Sequence, residues 1–330
     1  MPTNTAETRL DPRLARRLAE KKARLDEYRP LPPGVVRRLN DDLRVMLTYH
    51  SNAIEGNTLS LRETRLIVEY GLTVGGHPVR EILEAANHAE AYAFLTDIVD
   101  RQERETVTRE TTLALHRLVM QRIIEDAGRF RTVPVYIRGA RLRPPPAGRV
   151  EPLMREWVDW VRDESGAYDP IVAAVIAHHG FEAVHPFVDG NGRVGRLLLN
   201  LLLMRAGYPP ALLLRDWRLG YLQALNIADS GNYTPLANLV GRAVDAGLDL
   251  YLDACAATPQ EDEYRLLAEL ARDGAYTAAH LGWLVRKGRL DAVKRGGRWY
   301  STPAAIARYR MDVEQGVVGR GRPPREREAD

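Results

Sequence analysis

The segment His185-Pro186-Phe187-Val188-Asp189-Gly190-Asn191-Gly192-Arg193-Val194-Gly195-Arg196 concentrates the residue types that phosphate-transfer chemistry needs. Glycines at 190 and 192 let main-chain amides approach an anion closely. A helix starting near Arg193 would add its unpaired N–H groups and the positive end of its dipole. Arg193 and Arg196 stand three apart, so both project from one face of that first turn, and each guanidinium can fork onto phosphate oxygens. Asp189 is a hard oxygen ligand suited to Mg²⁺ or Mn²⁺. His185 is the nearby group able to act as a general base near neutral pH. The run Gly190-Asn-Gly-Arg-Val-Gly195 also matches a dinucleotide fingerprint, with Asp216 about 20 residues beyond it. That fold needs a strand before the first glycine. Residues 171–184 are Ala-rich and too long for one, so the dinucleotide reading fails. A Gly-rich turn carrying solvated arginines stays open on the residues alone.

The elements that must position this loop read as helices. Residues 11–28 have helical spacing that Pro30, Pro32 and Pro33 end. A second helix is predicted over about 35–50, with Leu39, Leu43, Met46 and Leu47 on one side. Ser60-Leu-Arg-Glu63 reads as a capping box opening a helix that ends near Gly71. Residues 79–99 are helical by pattern, and Asp169-Pro170 starts a long Ala/Val/Ile helix leading to His185. Further helices are expected at about 193–206, 215–229 and 235–255. Residues 131–137 alternate in a β-like way, Gly139 turns, and Pro144, Pro145 and Pro146 close the segment, which predicts one exposed hairpin. His178 and His179 read as packing or supporting groups, and Trp157 and Met204 as core. Trp217 and Tyr221, at i and i+4, fit either core or a nucleotide wall.

The chain has 330 residues, 45% hydrophobic and 28% charged, with net charge +3. These are values of an ordinary globular protein. The single cysteine, Cys255, excludes an internal disulfide framework, so a reducing compartment and a cytoplasmic location are expected. The N-terminus has no secretory pattern, and the longest apolar run, 197–204, is too short to span a bilayer, so no membrane partner is expected. Within 281–310 eight Lys or Arg face one acid, Asp291, which points to a polyanionic partner for that part.

The loop 185–196 resembles the Fic signature H-P-F-x-[DE]-G-N-G-R-x-x-R at every specified position, and the extension 197–210 is similar to that family as well. The resemblance implies a mainly α fold, a helical core with one β-hairpin flap, that transfers AMP from ATP to a Ser, Thr or Tyr hydroxyl of a target protein. His185 would deprotonate the hydroxyl. Asp189 would hold the metal, Asn191 would contact the α-phosphate, Gly192 and Arg193 would help build the anion hole, and Arg196 would bind the γ-phosphate. Gly190, Val194 and Gly195 belong to the same nucleotide-binding stretch. The hairpin at 131–146 matches the family's flap, with Val135, Tyr136, Ile137 and Arg138 nearest nucleotide and target. Tyr221 and Leu222 fall where the family contacts the base. Asp229 stands where relatives often have Asn, which leaves the base preference open.

Ser51-Asn-Ala-Ile-Glu55-Gly56 is similar to the family's inhibitory motif [ST]-x-x-x-E-[GN]. Ser51 and Glu55 share a helix face. If Glu55 reaches Arg196, it occupies the arginine meant for the γ-phosphate. In some relatives the same Glu supports removal of AMP, so a mainly de-AMPylating enzyme is one alternative. Residues 276–300 resemble a small helix-turn-helix with a wing, with a turn at Gly282, a basic second helix and a Gly296-Gly297 hairpin. DNA and protein are the two partner classes it would take. A DNA-binding regulator that senses ATP through the pocket is the second alternative. The expected layout is an N-terminal helical region at 1–45 and a catalytic domain at 46–256 with its inhibitory helix at 51–57. A winged helix at 260–310 and a disordered tail at 311–330 complete it. Relatives with this helix placement are often homodimers.

Overall fold

The structure is a computed structural model that describes residues 9–31, 33–101, 107–137, 142–256, 264–272 and 276–314. Helices come first: α1 Pro12–Asp26, α2 Pro33–Ile54, α3 Leu61–Tyr70, α4 Val79–Asp100, α5 Arg109–Met120, α6 Val150–Asp163, α7 Pro170–Val184 and α8 Asn191–Arg205. A 3-10 turn, Arg215–Trp217, leads into α9 Arg218–Ala228, and α10 runs Thr234–Ala256. The chain forms two units: residues up to Glu27 with Leu39–Leu252, and Tyr28–Arg38 with the residues from Asp253. Among the described residues no helix is long and apolar enough to cross a membrane.

In the first unit α7 and α8 form the centre, and α4, α5 and α6 close around them. Both central helices bury residues on all sides, including Ile171, Val175, Phe181, Leu197 and Leu201. A helix covered on every side is interior, and the polar groups that α8 buries, Asn191, Arg193, Arg196 and Asn200, must then find partners inside. The Asp169 carboxylate accepts from the N–H groups of Ile171 and Val172, and Pro170 needs no partner, so α7 starts where the sequence places it. The Ser60–Glu63 capping box is present, and Gly71 ends α3 in the left-handed region. Trp157 is buried, and its Nε1 donates to Ala177 O at 2.8 Å, tying α6 to α7.

Helix α2 runs past the expected end near His50, so Ser51 lies within its last turn and Glu55 just beyond it. The hairpin expected at 131–146 is not paired among the described residues: 131–137 and 142–146 contain no strand. Pro134, Pro144, Pro145 and Pro146 lack the donors a ladder needs. The buried Arg131 side chain ties the base of the segment instead. It donates to Val133 O at 3.1 Å, to Pro145 O at 2.6 Å and to His185 O at 2.8 Å. Arg138 and the tip, 138–141, lie outside the described residues.

The second unit has β1 Arg265–Leu266, α11 Leu267–Leu270, α12 Ala278–Arg286, β2 Val293–Arg295, β3 Arg298–Ser301 and α13 Pro303–Glu314. Its antiparallel sheet has the order β1-β3-β2. Gly296 and Gly297 both take positive φ, as a two-residue hairpin turn requires, so that β2 and β3 pair Lys294 with Trp299. Leu267, Leu270, Leu281, Leu284 and Tyr309 form its core. The turn expected at Gly282 is absent: this residue is buried inside α12. Thr277 caps that helix, accepting from His280 N, so the chain is already helical before Gly282.

Candidate active site

His185 ends α7 in the left-handed conformation, φ 49° and ψ 61°, a rare one for a residue with a side chain. Its N–H still bonds Phe181 O at 3.0 Å, and Arg131 holds its carbonyl. Nδ1 lies 3.3 Å from Glu182 O. That contact assigns the proton to Nδ1 and leaves Nε2 as the lone-pair nitrogen. Burial lowers the pKa of His185, which the Glu182 carbonyl only partly offsets, so the ring is neutral at physiological pH.

The chain then turns into α8. Gly190 takes φ 81°, and a Cβ there would sit 2.8 Å from Met120 Sδ, so glycine is required twice over. Asn191 is buried, and its side chain accepts from Phe187 N and donates to Phe187 O, both at 2.9 Å. With the amide committed to the loop, its main-chain N–H is what remains to face an anion. His116 braces the same turn. Its Nε2 donates to Asp189 O at 3.0 Å, its Nδ1 accepts from Gly128 N, and its ring stacks on Phe187 at 3.6 Å. Burial pushes the His116 pKa down to about 4, which keeps this neutral tautomer.

Asp189 and Arg193 belong to a charge network that the sequence does not announce. Arg80, in the first turn of α4, contacts Asp189 Oδ2 and reaches Glu84 Oε1 at 3.1 Å. Arg193 lies 3.0 Å from the same Glu84 oxygen and 3.4 Å from Asp189 Oδ1. Asn57 donates to Glu84 Oε2 at 3.0 Å. Burial would raise the Asp189 pKa, but Arg193, the Gly190 N–H and Arg80 together hold it below the usual carboxylate range. Nε of Arg193 is buried without a hydrogen-bond partner. Such an orphan donor beside a helix N-terminus fits an anionic ligand.

Arg196 is buried and bound to the end of α2. Its Nε donates to Ser51 Oγ at 3.0 Å, and its Nη2 donates to Ser51 O at 2.9 Å and to Glu55 Oε1 at 2.8 Å. The Glu55 carboxylate lies over Gly192, where a Cβ would approach Oε1 to 2.3 Å. Burial works against the charge of Arg196, yet Glu55, Tyr221 and Glu182 around it leave its pKa raised. Glu182 sits beside it, half-buried and lining the same cavity, with its Oε1 buried, unpartnered and packed on Gly195. Burial pushes its carboxyl up to about 8, despite Arg196, with Glu55 adding to the rise.

These groups open onto a cavity of about 500 Å³. Of the residues singled out from the sequence, His185, Asp189, Gly190, Asn191, Gly192, Arg193, Arg196, Glu55, Tyr136, Ile137, Tyr221, Leu222 and Asp229 line it. Val135, Val194, Gly195, Ser51 and Gly56 do not. Val194 is core, Gly195 lies under Glu182, and Ser51 is covered by Arg196. Tyr221 is buried with its hydroxyl 2.7 Å from His178 Nε2, and Asp229 Oδ1 lies 2.9 Å from His179 Nε2. His178 therefore supports the cavity wall from behind, while His179 itself lines the cavity and Trp217 does not.

Arg80, Glu84, His116, Arg131, Glu182 and Arg218 are site residues that sequence reasoning missed. Arg80 and Glu84 carried a readable signal, an i, i+4 pair of opposite charge. Glu182 stands three residues before His185, and His116, Arg131 and Arg218 act through long-range contacts that no spacing reveals.

A model of the Fic/DOC family matches residues 106–203. Over 232 residues the chain is 38% identical to Protein adenylyltransferase fic-1 of Caenorhabditis elegans, which takes in 69% of this chain and 45% of that protein. The chain thus spans about half the length of the curated relatives it matches. The solved structure of Fic-1 from C. elegans superposes with a TM-score of 0.66 at 34% identity and covers 74% of each chain. A Fic family protein from Desulfovibrio desulfuricans G20 matches 95% of this chain and 98% of its own with a TM-score of 0.59; at 24% identity this is a likeness of fold. Together with the His185–Arg196 loop at the start of α8, these matches show that the chain belongs to the Fic/DOC family.

Proposed function

We propose that this chain is a protein adenylyltransferase that moves AMP from ATP to a hydroxyl of a target protein and is held inactive by Glu55. The observation that carries the reading is that His185, with its Nδ1 held by Glu182 O, lines one cavity together with Arg193 and the first residues of α8. In the reaction His185 Nε2 takes the hydroxyl proton, the hydroxyl oxygen bonds to the α-phosphorus, and the bond to pyrophosphate breaks. Pyrophosphate leaves with its electron pair. The main-chain N–H groups at the start of α8 and Arg193 stabilise charge on the phosphates, and Arg196 takes the γ-phosphate once Glu55 withdraws.

Mg²⁺ or Mn²⁺ would be held by Asp189 together with the triphosphate, where it would neutralise phosphate charge. Among the described residues there is no group of three or more acids, histidines or cysteines able to hold a metal alone. A single ionised carboxylate suits a cation that arrives with the nucleotide. Tyr221, Leu222 and Asp229 form the base side of the cavity. In the second unit Arg286, Lys287, Arg289, Lys294 and Arg298 are exposed around α12 and the β2–β3 hairpin. That pattern supports a winged helix for a polyanion such as DNA.

The test is incubation with ATP labelled at the α-phosphate and a cell lysate. Glu55→Gly protein is expected to label protein bands, and adding His185→Ala is expected to abolish the label while the far-ultraviolet spectrum stays native. Labelling that survives His185→Ala would refute the reading.

A further inference from the structure

The end of α2 shows how Glu55 is held, and it involves a residue that the loop 185–196 does not contain. The last four carbonyls of a helix have no partner within it. Here each has one. Ser51 O accepts from Arg196, Asn52 O from the N–H groups of Glu55 and Asn57, and Ala53 O from Gly56 N. Ile54 O accepts from Arg218 Nε at 2.6 Å. At Gly56 the chain turns away with φ 101°, so no following main-chain N–H serves Ile54. Arg218 supplies a cation at the negative end of the helix dipole, one residue before Glu55.

The segment leading into α9 grips the same helix at two more points. Arg215 N donates to His50 Nδ1 at 3.0 Å, and Arg215 Nη1 donates to Tyr49 OH at 2.8 Å. Among the described residues Arg218 forms no ion pair, so its charge is committed to this helix end and to the cavity it lines. A carboxylate on a frayed helix end would spend little time on Arg196, since the end must stay helical for Ser51 and Glu55 to reach the same guanidinium.

We propose that Arg218 is a positioning residue of the inhibitory helix: by capping Ile54 O it keeps the last turn of α2 wound and Glu55 on Arg196. The proposal rests on the reading of Glu55 as the brake. It makes the base-side helix α9 a second anchor of that brake, with two arginines, Arg196 and Arg218, holding one helix end.

The experiment combines Arg218→Ala and Arg218→Lys with Glu55→Gly in the full chain, reading transfer of labelled AMP and amide hydrogen exchange. Loss of one partly exposed, charge-assisted hydrogen bond is expected to raise basal transfer about fivefold in Arg218→Ala. Arg218→Lys keeps part of the restraint, and the double variant Arg218→Ala with Glu55→Gly transfers no faster than Glu55→Gly alone. Exchange at the N–H groups of Glu55, Gly56 and Asn57 quickens in Arg218→Ala while the rest of α2 keeps its protection. Unchanged exchange at these amides would overturn the proposal whatever transfer does. So would a fall in transfer in both backgrounds, which would make Arg218 a substrate contact instead. If Glu55→Gly itself fails to raise transfer, the brake reading fails, and the exchange data still decide whether Arg218 restrains the helix.

Discussion

Replacing Glu55 by Gly removes two things at once: the partner of Arg196 and the carboxylate that lies over Gly192. The Arg196–Glu55 contact is 2.8 Å, with the arginine side chain 6% and the glutamate side chain 39% exposed. A hydrogen bond to a charged group contributes about 1.5–3 kcal/mol. Solvent reaches the Glu55 side, so the lower half of that range applies, about 1.5–2 kcal/mol. If the ion pair must break before the γ-phosphate can bind Arg196, its loss corresponds to an increase in transfer of about 10–30-fold. Initial rates of AMP incorporation into protein, at fixed target and several ATP concentrations, measure this. The gain is expected in the productive rate more than in total ATP binding, because the loop amides and Arg193 are available in both forms. Ser51→Ala, which removes the Nε contact but leaves the carboxylate, should move in the same direction by a smaller factor. A change below twofold in Glu55→Gly would refute the reasoning, as would an increase that is unaltered when Arg196 is also replaced.

Three further outcomes follow from the contacts around the loop. Gly195→Ala would push a Cβ to within 2.3 Å of the buried Glu182 Oε1, so it should destabilise the chain by about 1–3 kcal/mol in chemical denaturation. Arg131→Ala removes the donor that joins His185 O, Val133 O and Pro145 O; unfolding measurements should show a loss of about 2–3 kcal/mol, together with reduced transfer in the Glu55→Gly background. Burial pushes His88 and His178 down to about 3 and His116 down to about 4, and raises Glu182 to about 8. Depressed histidines are neutral when folded but bind protons when unfolded below pH 6.5, so their contribution is lost as pH falls through that point towards 3–4. Glu182 acts in the opposite sense between about pH 4.5 and 8. Three protons gained and one released on unfolding, a net gain of two, give a stability that falls by about 3 kcal/mol for each pH unit of acidification near pH 5, which denaturant titrations at pH 7, 6 and 5 would reveal.

Local signals account for most of what the chain discloses in advance. The Ser60–Glu63 capping box, the Asp169-Pro170 start and the Gly296-Gly297 turn are decided by bonds within a few residues, so their form in the fold matches the sequence. The loop from His185 to Arg196 is legible for the same reason: its glycines, helix start and paired arginines are one local unit. Ser51 and Glu55 are legible as a shared helix face. The spacing of Val150, Met154, Trp157 and Val161, all buried in α6, was an available helical signal as well.

What only the tertiary structure decides is which distant group meets each of these. Arg80 reaches Asp189 across 109 positions, and Arg196 reaches Glu55 across 141. Prolines that read as punctuation of a hairpin instead leave carbonyls for Arg131, and Asn191 turns its amide inward onto Phe187. The segment 28–38 joins the C-terminal unit although it lies near the start of the chain. Periodicity and capping encode contacts up to about four residues apart, whereas a partner a hundred residues away is set by how buried helices pack. The sequence by itself therefore determined the chemistry assembled between 185 and 196, and packing alone placed Glu55, Arg80 and Arg218 against it.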